Sequence, residues 1–288
     1  MNSYNKSSSP SHSSFNAPTG TSAHSKDFCI TLAKTLHDAR RNKSEIEPLT
    51  KQFPEQIQKD NLTQAYEIQN LGIQLRQTAG EKIIGYKMGL TSQAKMKQMG
   101  LDQPVYGVLT NQMQVDDKGS YSLKNQIHPK AEPEIYFITK KDLSGKINRE
   151  QAFASIEKVG VALEILDSRF KGFQYFQIFD VIADNSSSSQ FVLGPTVSAS
   201  TRLNLGELKI SISENGRVVH EDYGKAILGD PLLSLCELVS MLSQNGQSLP
   251  SGSIVLAGAA TVAIPLTVGQ KISAQLENIG EVFFQVVE

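Results

Sequence analysis

The chain has no tryptophan and only two cysteines, Cys29 and Cys236, among its 288 residues. Each cysteine falls within an apolar pattern of helical spacing. No disulfide framework or thiolate metal site can be read, and both thiols are expected as core residues in a reducing compartment. Dense Lys/Arg blocks are missing as well. With 28 basic against 29 acidic residues the formal net charge is −1, which leaves no electrostatic footprint for nucleic acid or an anionic membrane. No apolar run approaches the ~18 residues that a membrane span needs, and the N-terminus lacks the apolar stretch of a signal peptide. A cytoplasmic protein with a small-molecule ligand is expected.

Large apolar groups are scarce in residues 1–26, which hold nine serines. Such a segment cannot bury enough surface to offset the entropy of ordering, so it reads as a disordered tail. A single catalytic domain is expected over 27–288. Its first part, 27–80, is helical: Phe28, Ile30, Leu32, Ala33 and Leu36 follow helical spacing, and a second helix runs from Leu62 to about Thr78 with Gly80 as its stop. From Glu81 onward short β-type runs dominate, among them "KIIGYKMGL", "EIYFITK", "VGVALEIL", "SQFVLG" and "GSIVLAGAA". Asn215-Gly216 suits a type I′ hairpin turn. Asp230 as N-cap with Pro231 at the first helical position opens one more helix. The fold class is α+β, with early helices and then a twisted or barrel-like β-core crossed by a few helices.

Three carboxylates conflict with that pattern. In the run "HPKAEPEIYFI", Glu132 and Glu134 share one strand face with Tyr136 and Ile138, while Ile135 and Phe137 occupy the other. Either the strand is buried on both sides, or Pro133 marks an edge strand with two solvated glutamates; since it lacks a backbone donor, Pro133 is expected at a sheet edge or a bulge that opens toward the cleft. Glu164 is the one charge in the apolar stretch "VGVALEIL". A lone buried carboxylate is costly unless it is paired, and Arg169 is one available partner. Three inward glutamates would repel one another, so a divalent cation is the simplest common partner. All-carboxylate ligation points to Mg²⁺ or Mn²⁺ rather than zinc. His128, a lone histidine before a proline, reads as a structural group.

In "IIGYKMGLTS" the alternation puts Gly85, Lys87 and Gly89 on one strand face. The ammonium then has either cleared space in a cleft or an ordinary solvent-facing position beside bulge glycines. In a partly dry cleft it could bind a carboxylate or exchange a proton. The cluster "ADNSSSSQF" supplies Asp184, Asn185 and Ser187, by composition a polar loop that could equally present donors to an anion.

Taken together, "GYKMGLTSQAKMKQMGLDQPVYGVL", "IHPKAEPEIYF", "ALEILDSRFKGFQ", "VIADNSSSSQFVLG", "ILGDPLLSL" and "GSIVLAGAAT" resemble the 2-oxo acid hydratase/decarboxylase branch of the fumarylacetoacetate-hydrolase-like superfamily. The likeness extends from about Asp27 to the end. Within the branch the motifs are similar to those of 4-oxalocrotonate decarboxylases, the sister group being 2-hydroxypenta-2,4-dienoate hydratases. Hydratases usually carry Asp in a P-D-F-G motif where this chain has Pro104-Val105-Tyr106-Gly107. Two departures are Gly229-Asp230-Pro231 in place of Gly-His-Pro, and Pro133 where Ala is common.

The resemblance implies a fumarylacetoacetase-like twisted sheet or barrel. It also implies metal-dependent decarboxylation of 2-oxo-3-hexenedioate in aromatic degradation, with hydration of 2-hydroxypenta-2,4-dienoate as the alternative. It places Glu132, Glu134 and Glu164 at the metal and Lys87 as the active-site lysine. Arg169, Asp184, Asn185 and Ser187 fall at positions for substrate carboxylates or support of the metal's ligands. A homo-oligomer, associating with the hydratase that consumes the product, is a further implication. Two rival readings are acylpyruvate cleavage with His128 as base, and a non-enzymatic oligomer holding a dicarboxylate or metal.

Overall fold

The computed structural model describes residues 22–92, 96, 104–173, 177–200 and 203–288. Most of the serine-rich segment, the 93–103 stretch apart from residue 96, and residues 174–176 and 201–202 lie outside the described residues. The first helix, α1 (Ser22–Asn42), begins inside the segment expected as tail and ends with Arg40 and Arg41 in its last turn, where cations favour the helix dipole. After the short α2 (Leu49–Gln52), α3 (Leu62–Thr78) starts where the Asn61 side chain accepts the Gln64 amide at 3.2 Å. Past its end Gly80 takes a φ of 95°, a left-handed position that glycine occupies without strain. Cys29, Leu32, Ala33 and Leu36 of α1 are buried where it packs on α3.

The described residues then build thirteen strands: β1 (Ile83–Gly89), β2 (Val105–Thr110), β3 (Gln114–Val115), β4 (Ser120–Ser122), β5 (Lys130–Thr139), β6 (Ile156–Leu166), β7 (Ser188–Ser198), β8 (Lys209–Glu214), β9 (Arg217–Tyr223), β10 (Ile254–Ala259), β11 (Ile264–Pro265), β12 (Lys271–Leu276) and β13 (Gly280–Val287). Helices α4 (Arg149–Ala154), α5 (Ile178–Ala183) and α6 (Pro231–Gln244) cross between them. The larger sheet has the order β2-β1-β10-β5-β6-β7-β3, with β11 also paired to β5; the smaller is β4-β13-β12-β8-β9. The larger sheet curls, because β2 and β7 touch although four strands separate them in the ladder.

Period-two alternation decides what each face of this sheet meets. Ile135, Phe137, Val161, Leu163 and Ile165 are fully buried, on the face that packs against β12 and β13. The opposite, concave face carries Tyr136, Ala162, Leu256, Leu109 and Phe191 as a separate small core. The NG turn forms as expected, with Asn215 at φ 51° and Gly216 at φ 82°. So does the capped start of α6, where Asp230 accepts the Leu232 amide at 2.9 Å. The span Gly224–Gln244 is long and apolar enough by composition to cross a membrane. Its Leu232, Leu235, Leu238, Val239 and Leu242 are instead fully buried in the protein core.

Pro133 corrects the edge-strand expectation. Strand β5 lies in the middle of the sheet between β10 and β6, and Pro133 is paired with Leu163. On its other flank β10 pairs as far as Glu134 and β11 resumes at Ala131, so the ladder has a gap beside the proline. A residue without an amide proton is tolerated at such an interruption.

Candidate active site

Strand register assembles the carboxylates. Glu132 lies directly opposite Glu164 in the β5–β6 ladder, and Glu134 sits two residues further along the same face. One oxygen from each of the three lies within 4.8 Å of the others. Glu134 and Glu164 are fully buried and Glu132 nearly so. Burial first, then the Glu164 charge, pushes the Glu134 carboxyl well above the usual carboxylate range; Lys87 opposes this and Glu132 adds to it.

Strand β10 contributes a backbone donor. Its register slips between Leu256 and Ala259, and in that bulge Gly258 takes φ 108° and gives its amide to Glu134 Oε2 at 2.7 Å. A side chain there would strike Thr91, with Oγ1 only 2.3 Å from the Cβ position. Among the described residues Glu134 Oε1 nevertheless accepts no hydrogen bond, and Glu164 Oε1 has only an ion-pair neighbour, the Lys87 ammonium. Buried carboxylates gathered this closely, with an oxygen that accepts nothing, are what a cation site offers.

Lys87 is buried at 3% exposure. Its Nζ donates to Glu164 Oε2 at 3.3 Å and lies 3.2 Å from Oε1. Thus Lys87, not Arg169, is the ion-pair partner of Glu164. The space around the ammonium comes from glycines on two strands. A Cβ on Gly89 would lie 3.6 Å from Lys87 Nζ and 3.2 Å from Val105 Cγ2, and one on Gly107 would lie 3.3 Å from Lys87 Cε and 2.7 Å from the Asn185 carbonyl oxygen. Gly85 has a different role, since its Cβ would fall 1.9 Å from the Ile254 carbonyl oxygen. It permits close β1–β10 contact, while Gly107, which the alternation argument did not single out, clears the lysine. Val105, on the strand face of Gly107, places an apolar group beside Gly89 and Lys87.

Arg169 and Asp184 form a second buried cluster. The Arg169 amide donates to Asp184 Oδ2 at 3.0 Å, its Nε to Oδ1, its Nη2 to the Asp184 carbonyl at 2.7 Å and its Nη1 to the Asp167 carbonyl. Burial pushes Asp184 up to about 6, against the lowering effect of Arg169. Asn185, Ser186 and Ser187 follow with φ values of 51°, 52° and 57°, three successive left-handed residues of a kind that persists where surrounding contacts over-determine it. Those contacts are present. Asn185 accepts the Val108 amide at 2.8 Å and donates to the Val108 carbonyl at 3.0 Å, Ser186 Oγ donates to the Tyr106 carbonyl at 2.9 Å, and the Asp167 amide reaches the Ser187 carbonyl at 2.9 Å. Of the four polar residues picked out by resemblance, Asn185 reaches the Lys87 surroundings through its carbonyl, and Arg169 and Asp184 brace the turn behind it. His128 stands apart, its Nδ1 3.0 Å from Glu45 and its ring stacked on Phe173.

No protein-family model matches the chain. It is 40% identical over 221 residues to a 4-oxalocrotonate decarboxylase of Pseudomonas sp., covering 77% of this chain and 85% of that one. It is 33% identical over 266 residues to a 2-hydroxyhexa-2,4-dienoate hydratase of Comamonas testosteroni, covering 91% and 99%. The solved 4-oxalocrotonate decarboxylase from Pseudomonas putida G7, complexed with magnesium and adipate, superposes with a TM-score of 0.86 at 34% identity, covering 91% of this chain and 98% of that one. With these likenesses, the curled sheet and the carboxylate-lined concave face identify the chain as a member of the 2-oxo acid hydratase/decarboxylase family of fumarylacetoacetase-like enzymes.

Proposed function

We propose that this enzyme is a carboxy-lyase that converts 2-oxo-3-hexenedioate (4-oxalocrotonate) to 2-hydroxypenta-2,4-dienoate and CO₂. In this reading Glu132, Glu134 and Glu164 hold Mg²⁺ or Mn²⁺. The observation that carries it is a triad of buried carboxylates converging beside a buried lysine, with Glu134 Oε1 accepting no hydrogen bond among the described residues. Bound there, the ion supplies a Lewis acid for the 2-oxo acid end of the substrate.

The remaining work falls to the chain. In the reaction the bond between C5 and the terminal carboxylate breaks, its electrons form C4=C5, the alkene pair shifts to C2=C3, and charge collects on the C2 oxygen. Lys87, held by Glu164, presents an ammonium that can stabilise that oxygen and give it a proton. Gly89 and Gly107 leave room for substrate atoms beside Nζ, and Val105 keeps a methyl group, rather than a water-binding carboxylate, next to them. The small core of Tyr136, Leu256, Leu109 and Phe191 closes the concave face from below, which strengthens electrostatic interactions by limiting water.

The hydratase reading shares the lysine and carboxylates and is favoured by the likeness to the Comamonas enzyme. Supplying 2-oxo-3-hexenedioate and 2-hydroxypenta-2,4-dienoate separately, with Mg²⁺, separates the two. Release of CO₂ from the first without loss of the second's diene absorbance is expected; the reverse pattern overturns the proposal.

A further inference from the structure

The groups described so far serve the 2-oxo acid end, and a six-carbon dicarboxylate has a second anionic end. The geometry points to Lys130 as the group that captures it, in a subsite walled by Phe173; this rests on the proposed dicarboxylate substrate.

Lys130 is the first residue of β5 and shares the face of Glu132 and Glu134, two residues before the first of them. Two residues of strand span about 7 Å, and a six-carbon chain of bonds near 1.5 Å spans roughly 6 Å. A substrate seated at the triad and running along β5 therefore brings its far carboxylate to Lys130.

The lysine is also prepared for this. It is half-buried, and among the described residues no acid pairs with it. Its Nζ lies 4.2 Å from the centroid of the Phe173 ring. The ring is itself stacked with His128 at 5.2 Å and 29°, and His128 in turn is fixed by Glu45 and by donation of its amide to Asp167 Oδ1 at 2.8 Å. Phe173 is reached through two left-handed residues, Gly172 at φ 71° and Phe173 itself at φ 42°. A bulky residue in that region is costly, so the loop accepts strain to set the ring against the ammonium. An ammonium over an aromatic face has shed part of its water and attracts a carboxylate more strongly than a solvated one.

Charge leaves this carboxylate as CO₂ forms, so an ion pair to Lys130 is stronger in the ground state than in the transition state. The residue therefore serves capture and choice of substrate rather than rate. In the metal-loaded enzyme, Lys130→Met should raise KM for 2-oxo-3-hexenedioate about tenfold or more while kcat stays level or rises. Inhibition constants for adipate and hexanoate, which differ only in the second carboxylate, give a readout independent of turnover. Adipate should weaken about tenfold, the loss of about 1.4 kcal/mol, hexanoate should be unchanged, and Lys130→Arg should restore the adipate preference. Equal effects on both inhibitors, no effect on either, or a fall in kcat with weakened Mg²⁺ binding would overturn the assignment. If the wild type releases no CO₂, calorimetric binding of the two inhibitors still decides the role of Lys130.

Discussion

Two clusters of buried charge, which approach each other in sequence at Glu164 and Arg169, are built in opposite ways. Around Arg169 and Asp184 every hydrogen bond closes within the protein: guanidinium, carboxylate and neighbouring carbonyls answer one another. Around Glu134 and Glu164, among the described residues, three acids converge beside the Lys87 ammonium, and Glu134 Oε1 accepts no hydrogen bond. The closed cluster holds a strained turn in place, whereas the open one is poised for something that the chain does not itself supply. Buried charge alone did not distinguish them. Satisfaction of the individual atoms did.

The contrast can be broken most severely at the open cluster. Lys87→Ala should lower kcat by about 10³-fold, within the range for loss of a positioned proton donor, with circular dichroism unchanged. Glu164→Gln should abolish high-affinity Mg²⁺ binding by calorimetry and reduce CO₂ release about as much, while full activity after chelation would sink the metal assignment. A stability test sharpens the difference. Arg169→Met strands a buried carboxylate and should cost about 3–5 kcal/mol in denaturant unfolding, whereas Glu134→Gln relieves like-charge repulsion and should leave the metal-free protein equally or more stable.

The smallest effect is a pH dependence. Because burial raises Asp184 from 3.8 to about 6, the folded state holds this proton more tightly than the unfolded chain does. Its contribution to stability is therefore full below pH 3.8 and is lost as pH rises to about 6. Asp184→Asn should remove that decline, so the difference in Tm between wild type and variant should shift in the variant's favour across this window and stay level above it.

Much of the open cluster was legible in the sequence because a strand has period two. Glu132, Glu134 and Lys87 could be assigned to faces by counting, and Glu164 stood out as the only charge in an apolar run. The Asp230 cap and the Asn215-Gly216 turn were likewise local signals. What escaped was set by strands meeting from far apart in the chain. Gly107 matters because β2 lies beside Lys87, Gly258 because β10 bulges against Glu134, and Arg169 belongs to Asp184 because a turn brings them together. Pro133 looked like an edge marker because the gap left for it between β10 and β11 is a tertiary fact.

The position of β10 bears on how the enzyme comes into being. This strand enters between β1 and β5, yet it is made about 170 residues after the first and over a hundred after the second. Pairing over such separations closes long loops and is slow. During synthesis β5 and β6 can meet early and bring Glu132 and Glu164 together, but Lys87 remains on the separate β1–β2 pair until the residues around Gly258 have left the ribosome. The proposed site is therefore completed late in folding, and the nascent chain carries an unpaired β1 edge until it is.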